Sequence, residues 1–158
     1  MVVKEFIQKG GVELDKSEKK YLALNFKRYL INSIDFKYNP EYTGGKANMD
    51  IEFGHSVAVK NSEARVSLKC MLFRKAKKEE KPFHLEVHMT GIFEFQTELE
   101  GEELNNVLRH QGINILFPYL RAFISNITGN TGLPPIILPL INVNQLIQNQ
   151  AKQAEGEH

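Results

Sequence analysis

One short stretch of the chain carries residue types that can do chemistry. His84, Glu86 and His88 alternate, so on a strand they share one face. Neighbours two residues apart on a strand are about 6.6–6.8 Å apart. That spacing lets pairs of them approach a cation, but it matches no standard metal site. A solvated sheet face is the plainer reading, and no metal or cofactor is expected. Cys70 is the single cysteine, so no internal disulfide framework exists; it sits in an apolar alternation as a small core residue. Nucleophilic catalysis needs a nucleophile, a base and an orienting group in contact, and no such set is visible. Gly129-Asn130-Thr131-Gly132 has the composition of a phosphate loop but follows a helix instead of a strand, the wrong context. The chain is not read as an enzyme.

The elements that hold these residues come next. Phe83, Leu85, Val87, Met89, Gly91, Phe93 and Phe95 form the cleanest alternation in the chain. A period of two means a strand with one face on a core. Ala64, Val66, Leu68, Cys70 and Leu72 repeat the pattern, as do Met49, Ile51 and Phe53 before Val57 and Val59. Leu22, Leu24, Phe26, Leu30, Ile34, Phe36 and Tyr38 share one parity of a longer strand. Arg28 and Asn32 interrupt it, so a bulge is expected near 28–32. Strands come first and helices last. The expected fold is therefore α+β: a four-stranded antiparallel sheet with a long kinked helix and a short C-terminal helix packed on one face.

The long helix starts at Glu102 and Glu103, whose carboxylates suit a helix N-terminus. Leu104, Val107, Leu108, Ile113, Leu116, Leu120, Phe123, Ile124 and Ile127 then follow at helical spacing, with Ile115 and Tyr119 on another face. A helix apolar on more than one face needs more than one burial surface. Either one thick core or a second copy of the chain supplies it. Pro118 lacks an N–H and crowds the Asn114 carbonyl, which predicts a kink or restart near Gly112–Asn114. Gly129, Asn130 and Gly132 end the helix. The run Leu133-Pro-Pro-Ile-Ile-Leu-Pro-Leu-Ile141 then resists both helix and central strand. Its aliphatics either pack over the chain's own sheet or form the apolar wall of a groove for a flexible ligand.

Composition narrows the partners. A net charge of +1 gives no general electrostatic reason to bind nucleic acid or an anionic membrane. No apolar run approaches the roughly 20 residues that span a bilayer. The N-terminus is too charged for a signal peptide, so a cytoplasmic protein is expected. Residues 1–20 read as an N-terminal extension, 21–147 as one domain, and 148–158 as a flexible polar tail.

Asn114-Ile-Leu-Phe-Pro-Tyr-Leu120 resembles the helix signature of the SecB protein-export chaperones. So does the order that follows it: glycine-ended helix, Pro/aliphatic loop, Asn142-Val-Asn144 turn and a short Gln/Asn-rich helix. Glu86-Val-His-Met-Thr-Gly-Ile-Phe93 is similar to the strand before that helix in the family. The resemblance implies an ATP-independent holdase that keeps unfolded secretory preproteins translocation-competent. By position it implies a polypeptide-binding groove of Tyr42, Met49, Ile51, Phe53, Ile127, Leu133, Ile136, Ile137 and Leu138. It also implies a homotetramer, a dimer of dimers, with Leu116, Leu120 and Phe123 at helix interfaces. Such chaperones dock the SecA motor through acidic residues. Glu86 falls at one of these positions, whereas Ser33 and Lys37 stand where two others fall. That departure, with the near-neutral charge, weakens motor docking and leaves open a SecB-like adaptor dedicated to one partner, such as an antitoxin.

Overall fold

The computed structural model describes residues 22–45 and 48–156. The expected extension at 1–20 lies outside them. Four strands, β1 (Leu24–Tyr38), β2 (Ile51–Lys60), β3 (Glu63–Leu72) and β4 (Phe83–Phe95), precede two helices, α1 (Gly101–Gly129) and α2 (Val143–Gly156). The strands form one antiparallel sheet in the order β1-β4-β3-β2. This is the α+β arrangement that the order of periodicities predicts.

The core lies where the alternations of β3 and β4 meet α1. Ala64, Val66, Leu68, Cys70 and Leu72 are buried beside Phe83, Leu85, Val87, Met89 and Phe93. Leu108, Ile113, Leu116, Leu120 and Ile124 of α1 close over them. Each large side chain buried this way contributes about 1.5–3 kcal/mol. Two glycines set the helix–sheet distance. A Cβ on Gly112 would meet Val66 Cγ2 at 2.6 Å, and one on Gly91 would meet Leu116 Cδ2 at 2.5 Å.

β1 departs from simple alternation. Its pairing with β4 shifts between Phe26 and Arg28 and again between Ile31 and Ser33, within the span where a bulge was expected. The faces between the shifts are exchanged. Tyr29 and Ile31 pair with Gly91 and Met89 on the helix side, while Leu30 pairs with Thr90 on the opposite side. Leu30 therefore does not share a face with Phe26 and Ile34, because each extra residue rotates the strand by half a repeat.

α1 runs unbroken from 101 to 129, so the expected restart near Gly112–Asn114 does not occur. Pro118 and Asn114 are both exposed, which lets water serve the carbonyl that proline's missing N–H leaves free. Gly112 serves close packing on Val66. α2 also corrects the sequence reading. Residues 148–156, expected as a flexible tail, continue the helix. Asn142 Oδ1 caps its start by accepting from the Asn144 N–H at 2.9 Å, and Leu146 anchors it in the core.

Candidate functional site

The proline-rich segment between α1 and α2 is held by side chains of the helix it follows. The buried Thr128 hydroxyl donates to the Ile124 carbonyl (2.8 Å) and accepts from the Ile136 N–H (2.8 Å). The Ser125 hydroxyl donates to the Ile136 carbonyl at 2.9 Å. Both backbone groups of Ile136 are thereby satisfied without a strand partner. Leu138 is fully buried and Ile136 half-buried, while Ile137 is 65% and Leu140 86% exposed. The segment is thus a pinned strap that faces aliphatics both inward and outward. Leu138, expected on the groove wall, belongs to the core and is closed to a ligand. Leu140 was not among the expected residues, although it belongs to the same proline-broken run.

The other expected groove residues are divided. Ile51 and Phe53 are half-buried, and their strand partners Leu72 and Cys70 lie in the core beneath α1. The Phe53 ring meets Phe117 of α1 edge-on, with centroids 6.1 Å apart. Ile127 and Leu133 are half-buried against the core, and Met49 is exposed at the approach to β2. Tyr42 is half-buried in its own loop, where its hydroxyl donates to the Gly45 carbonyl at 2.7 Å. The free edge of β2 has a partner the sequence did not announce. The Gln150 side chain of α2 accepts from the His55 N–H (2.7 Å) and donates to the His55 carbonyl (3.1 Å), as a strand would. His55 follows Phe53 on the helix-covered face. Burial, with Arg109 and His110 nearby, lowers its pKa from 6.5 to about 4.

Leu116 and Leu120 were expected at helix interfaces, within or between subunits. Both are fully buried within this chain, Leu116 over Gly91, so a second copy has no access to them. Phe123 is half-buried, and Tyr119 is exposed, with its ring 5.2 Å from that of Tyr29.

On the opposite face of the sheet His84, Glu86 and His88 do align. Glu86 is ion-paired with Lys69 at 2.9 Å. His84 lies 3.8 Å from Asp35, which also meets Lys37 at 3.8 Å. Ser33 pairs with His88 and Lys37 with His84 across the β1–β4 ladder. No group of three His, Cys, Asp or Glu residues among the described residues has the geometry of a metal site.

The family description that matches residues 33–154 is "preprotein translocase subunit SecB". The chain belongs to the SecB family. An uncharacterised protein of Methanocaldococcus jannaschii is 32% identical over 135 residues, covering 80% of this chain and 84% of that one. The protein-export protein SecB of Chromobacterium violaceum is 42% identical over 79 residues, which span 49% of this chain and about half of that protein (52%). The SecB of Alcanivorax borkumensis is 31% identical over 112 residues, covering 70% and 71%. Among solved structures, a SecB-like chaperone of Mycobacterium tuberculosis, in complex with a ChAD peptide from an antitoxin, shares the fold. Its TM-score is 0.62 at 19% identity, covering 75% of this chain and 88% of that chain.

The SecB match takes in the last six residues of β1, the other three strands, α1 and most of α2. Family membership supports a chaperone role. No described helix is long and apolar enough to cross a membrane.

Proposed function

We propose that the chain is an ATP-independent holdase that binds unfolded polypeptide. One observation carries this reading: the strap at 133–141 is fixed through its backbone by Ser125 and Thr128, yet presents Ile137 and Leu140 to solvent. Unfolded chains expose aliphatic segments, and a surface of adaptable apolar side chains binds many of them with little sequence selectivity. Ile51, Phe53, Ile127, Leu133, Ile136 and the exposed Met49 would extend that surface beside the strap, and Met adapts well to varied clients. Spreading contact over several copies of the chain raises avidity without tight binding at any one point.

A second reading, an adaptor dedicated to one client, draws support from Ser33 and Lys37. A motor that docks through acidic side chains would meet a base at one of these positions and no charge at the other. The antitoxin peptide carried by the mycobacterial SecB-like chaperone is a precedent for such a client.

Aggregation of a chemically denatured, slowly refolding client tests both. The purified protein without ATP is expected to suppress light scattering at near-stoichiometric ratio, and Ile137→Ser with Leu140→Ser to weaken suppression several-fold while circular dichroism is unchanged. Full suppression by that double variant would remove the strap from the binding surface. No suppression by the wild type, together with one co-purifying partner, would favour the adaptor.

A further inference from the structure

A cleft of about 580 Å³ opens at the end of the sheet away from the β2–β3 turn. One wall is Lys37, Tyr38, Pro40 and Glu41, where β1 ends; the other is Arg74, Lys75, Ala76, Lys77 and Lys78 of the β3–β4 connection, with His84 between them. Five cationic side chains therefore face one acid, Glu41, in a protein whose net charge is only +1. Part of this charge is answered: Lys37 meets Asp35 at 3.8 Å, and Arg74 meets Glu52 at 3.5 Å. Lys75, Lys77 and Lys78 are exposed and form no ion pair among the described residues. Glu79 and Glu80 lie on the same loop but outside the lining.

The cleft is a built feature and not a slack loop. Asn39 is buried between the walls. Its side-chain N–H groups donate to the carbonyls of Ala76 (3.2 Å) and Lys81 (2.9 Å), and its Oδ1 accepts from the Glu41 N–H at 3.1 Å. The Asn39 N–H donates to the Pro82 carbonyl at 2.9 Å. Asn39 thus uses all of these groups to join the β1 end to the lysine-bearing connection. Within that connection the Glu79 and Lys81 N–H groups return to the carbonyls of Lys75 and Ala76. The cations are presented on a fixed frame, which lowers the entropy that a partner must offset when it docks.

We propose that this cleft docks an acidic peptide segment of a partner protein, at a site separate from the client surface around the strap. The unanswered lysines supply the charge complementarity. Tyr38, Pro40 and Ala76 supply an apolar floor for a side chain set among the acids. A peptide fits these features better than a nucleic acid does. Five cations share one compact cleft instead of being drawn out along a line that could follow a phosphate backbone, and the chain's net charge of +1 offers no wider positive field.

Fluorescence anisotropy with a labelled peptide of glutamates interrupted by single leucines tests the proposal on the full chain. The same peptide with lysine in place of glutamate is the control. The acidic peptide is expected to bind, more weakly as salt rises, and the lysine peptide not to bind. Reversal of the three exposed lysines (K75E, K77E, K78E) is expected to lower affinity about tenfold. Reversal at Lys60, at the other end of the sheet, is expected to leave affinity unchanged. Client holding should persist in the triple variant, which separates failure of this site from failure of the holdase reading. Absence of binding, equal binding by the triple variant, or tighter binding of a single-stranded oligonucleotide of equal charge would each overturn the proposal.

Discussion

His55 is a histidine the fold keeps neutral. Both of its ring nitrogens are buried without a hydrogen-bond partner among the described residues, as is Arg109 Nε. Burial is the main cause of its lowered pKa, and the positive charge of Arg109 and the neighbouring His110 add to it. The consequence for stability has a definite sign. Between the unperturbed 6.5 and about 4 the unfolded chain binds the proton more readily than the folded one. Stability from this group is therefore complete above that window, declines as pH falls through it, and is level below it. Denaturant midpoints measured from neutral to acid pH should fall across the window in the wild type and fall less steeply in His55→Gln. Equal slopes would mean that His55 does not titrate as its surroundings dictate. The approach of Arg109 to His55, from a helix over fifty residues away, was not legible in the sequence.

At the scale of elements, the seat of α1 on the sheet depends on two absent side chains. Gly112 faces Val66, a β-branched core residue with little freedom to turn aside, and every Val66 atom near a Cβ there would stand at 3.0 Å or less. Gly112→Ala adds helix propensity yet should destabilise the protein by about 1–3 kcal/mol, because overpacking outweighs the gain of about 1 kcal/mol from removing a helical glycine. Chemical denaturation measures the sign directly, and Val66→Ala combined with Gly112→Ala should recover part of the loss. A stabilised single variant would show that α1 can ride away from the sheet. The strands were readable because β3, and β4 as far as Met89, alternate between a buried and a less buried face. β1 was harder: its bulges were legible at Arg28 and Asn32, but the faces they exchange around Tyr29, Leu30 and Ile31 depend on register with β4. The strap was recognisable by its prolines, whereas which aliphatic turns inward was not. That choice rests on the Ser125 and Thr128 hydroxyls reaching Ile136, a tertiary contact. Leu116 and Leu120 read equally well as interface or core from spacing alone, and the close approach allowed by Gly91 places Leu116 in the core.

For the whole molecule, the uneven cover of the sheet is the main unresolved force. α1 packs on β2, β3 and β4, and touches β1 through Tyr119, whose ring lies 5.4 Å from Phe26 and 5.2 Å from Tyr29. Further along β1, Ile34 is 47% and Tyr38 54% exposed on the side where their partners Val87 and Phe83 are buried. With Tyr29, Tyr119 and the half-buried Phe123, these residues make the apolar side of an outer strand whose far edge has no strand partner among the described residues. Such an edge invites pairing with another chain. A second copy would cover both the edge and the apolar side. Multi-angle light scattering at micromolar concentration should accordingly give a mass above that of one chain. Ile34→Asp with Tyr119→Asp should shift it toward the monomer, while circular dichroism keeps the folded signal, since both side chains are exposed in the single chain. A wild-type monomer would show that β1 carries its apolar side bare. An unchanged assembly in the double variant would move the interface off β1, and the outer side of α1 around Phe123 and Asn126 would be the next place to introduce a charge.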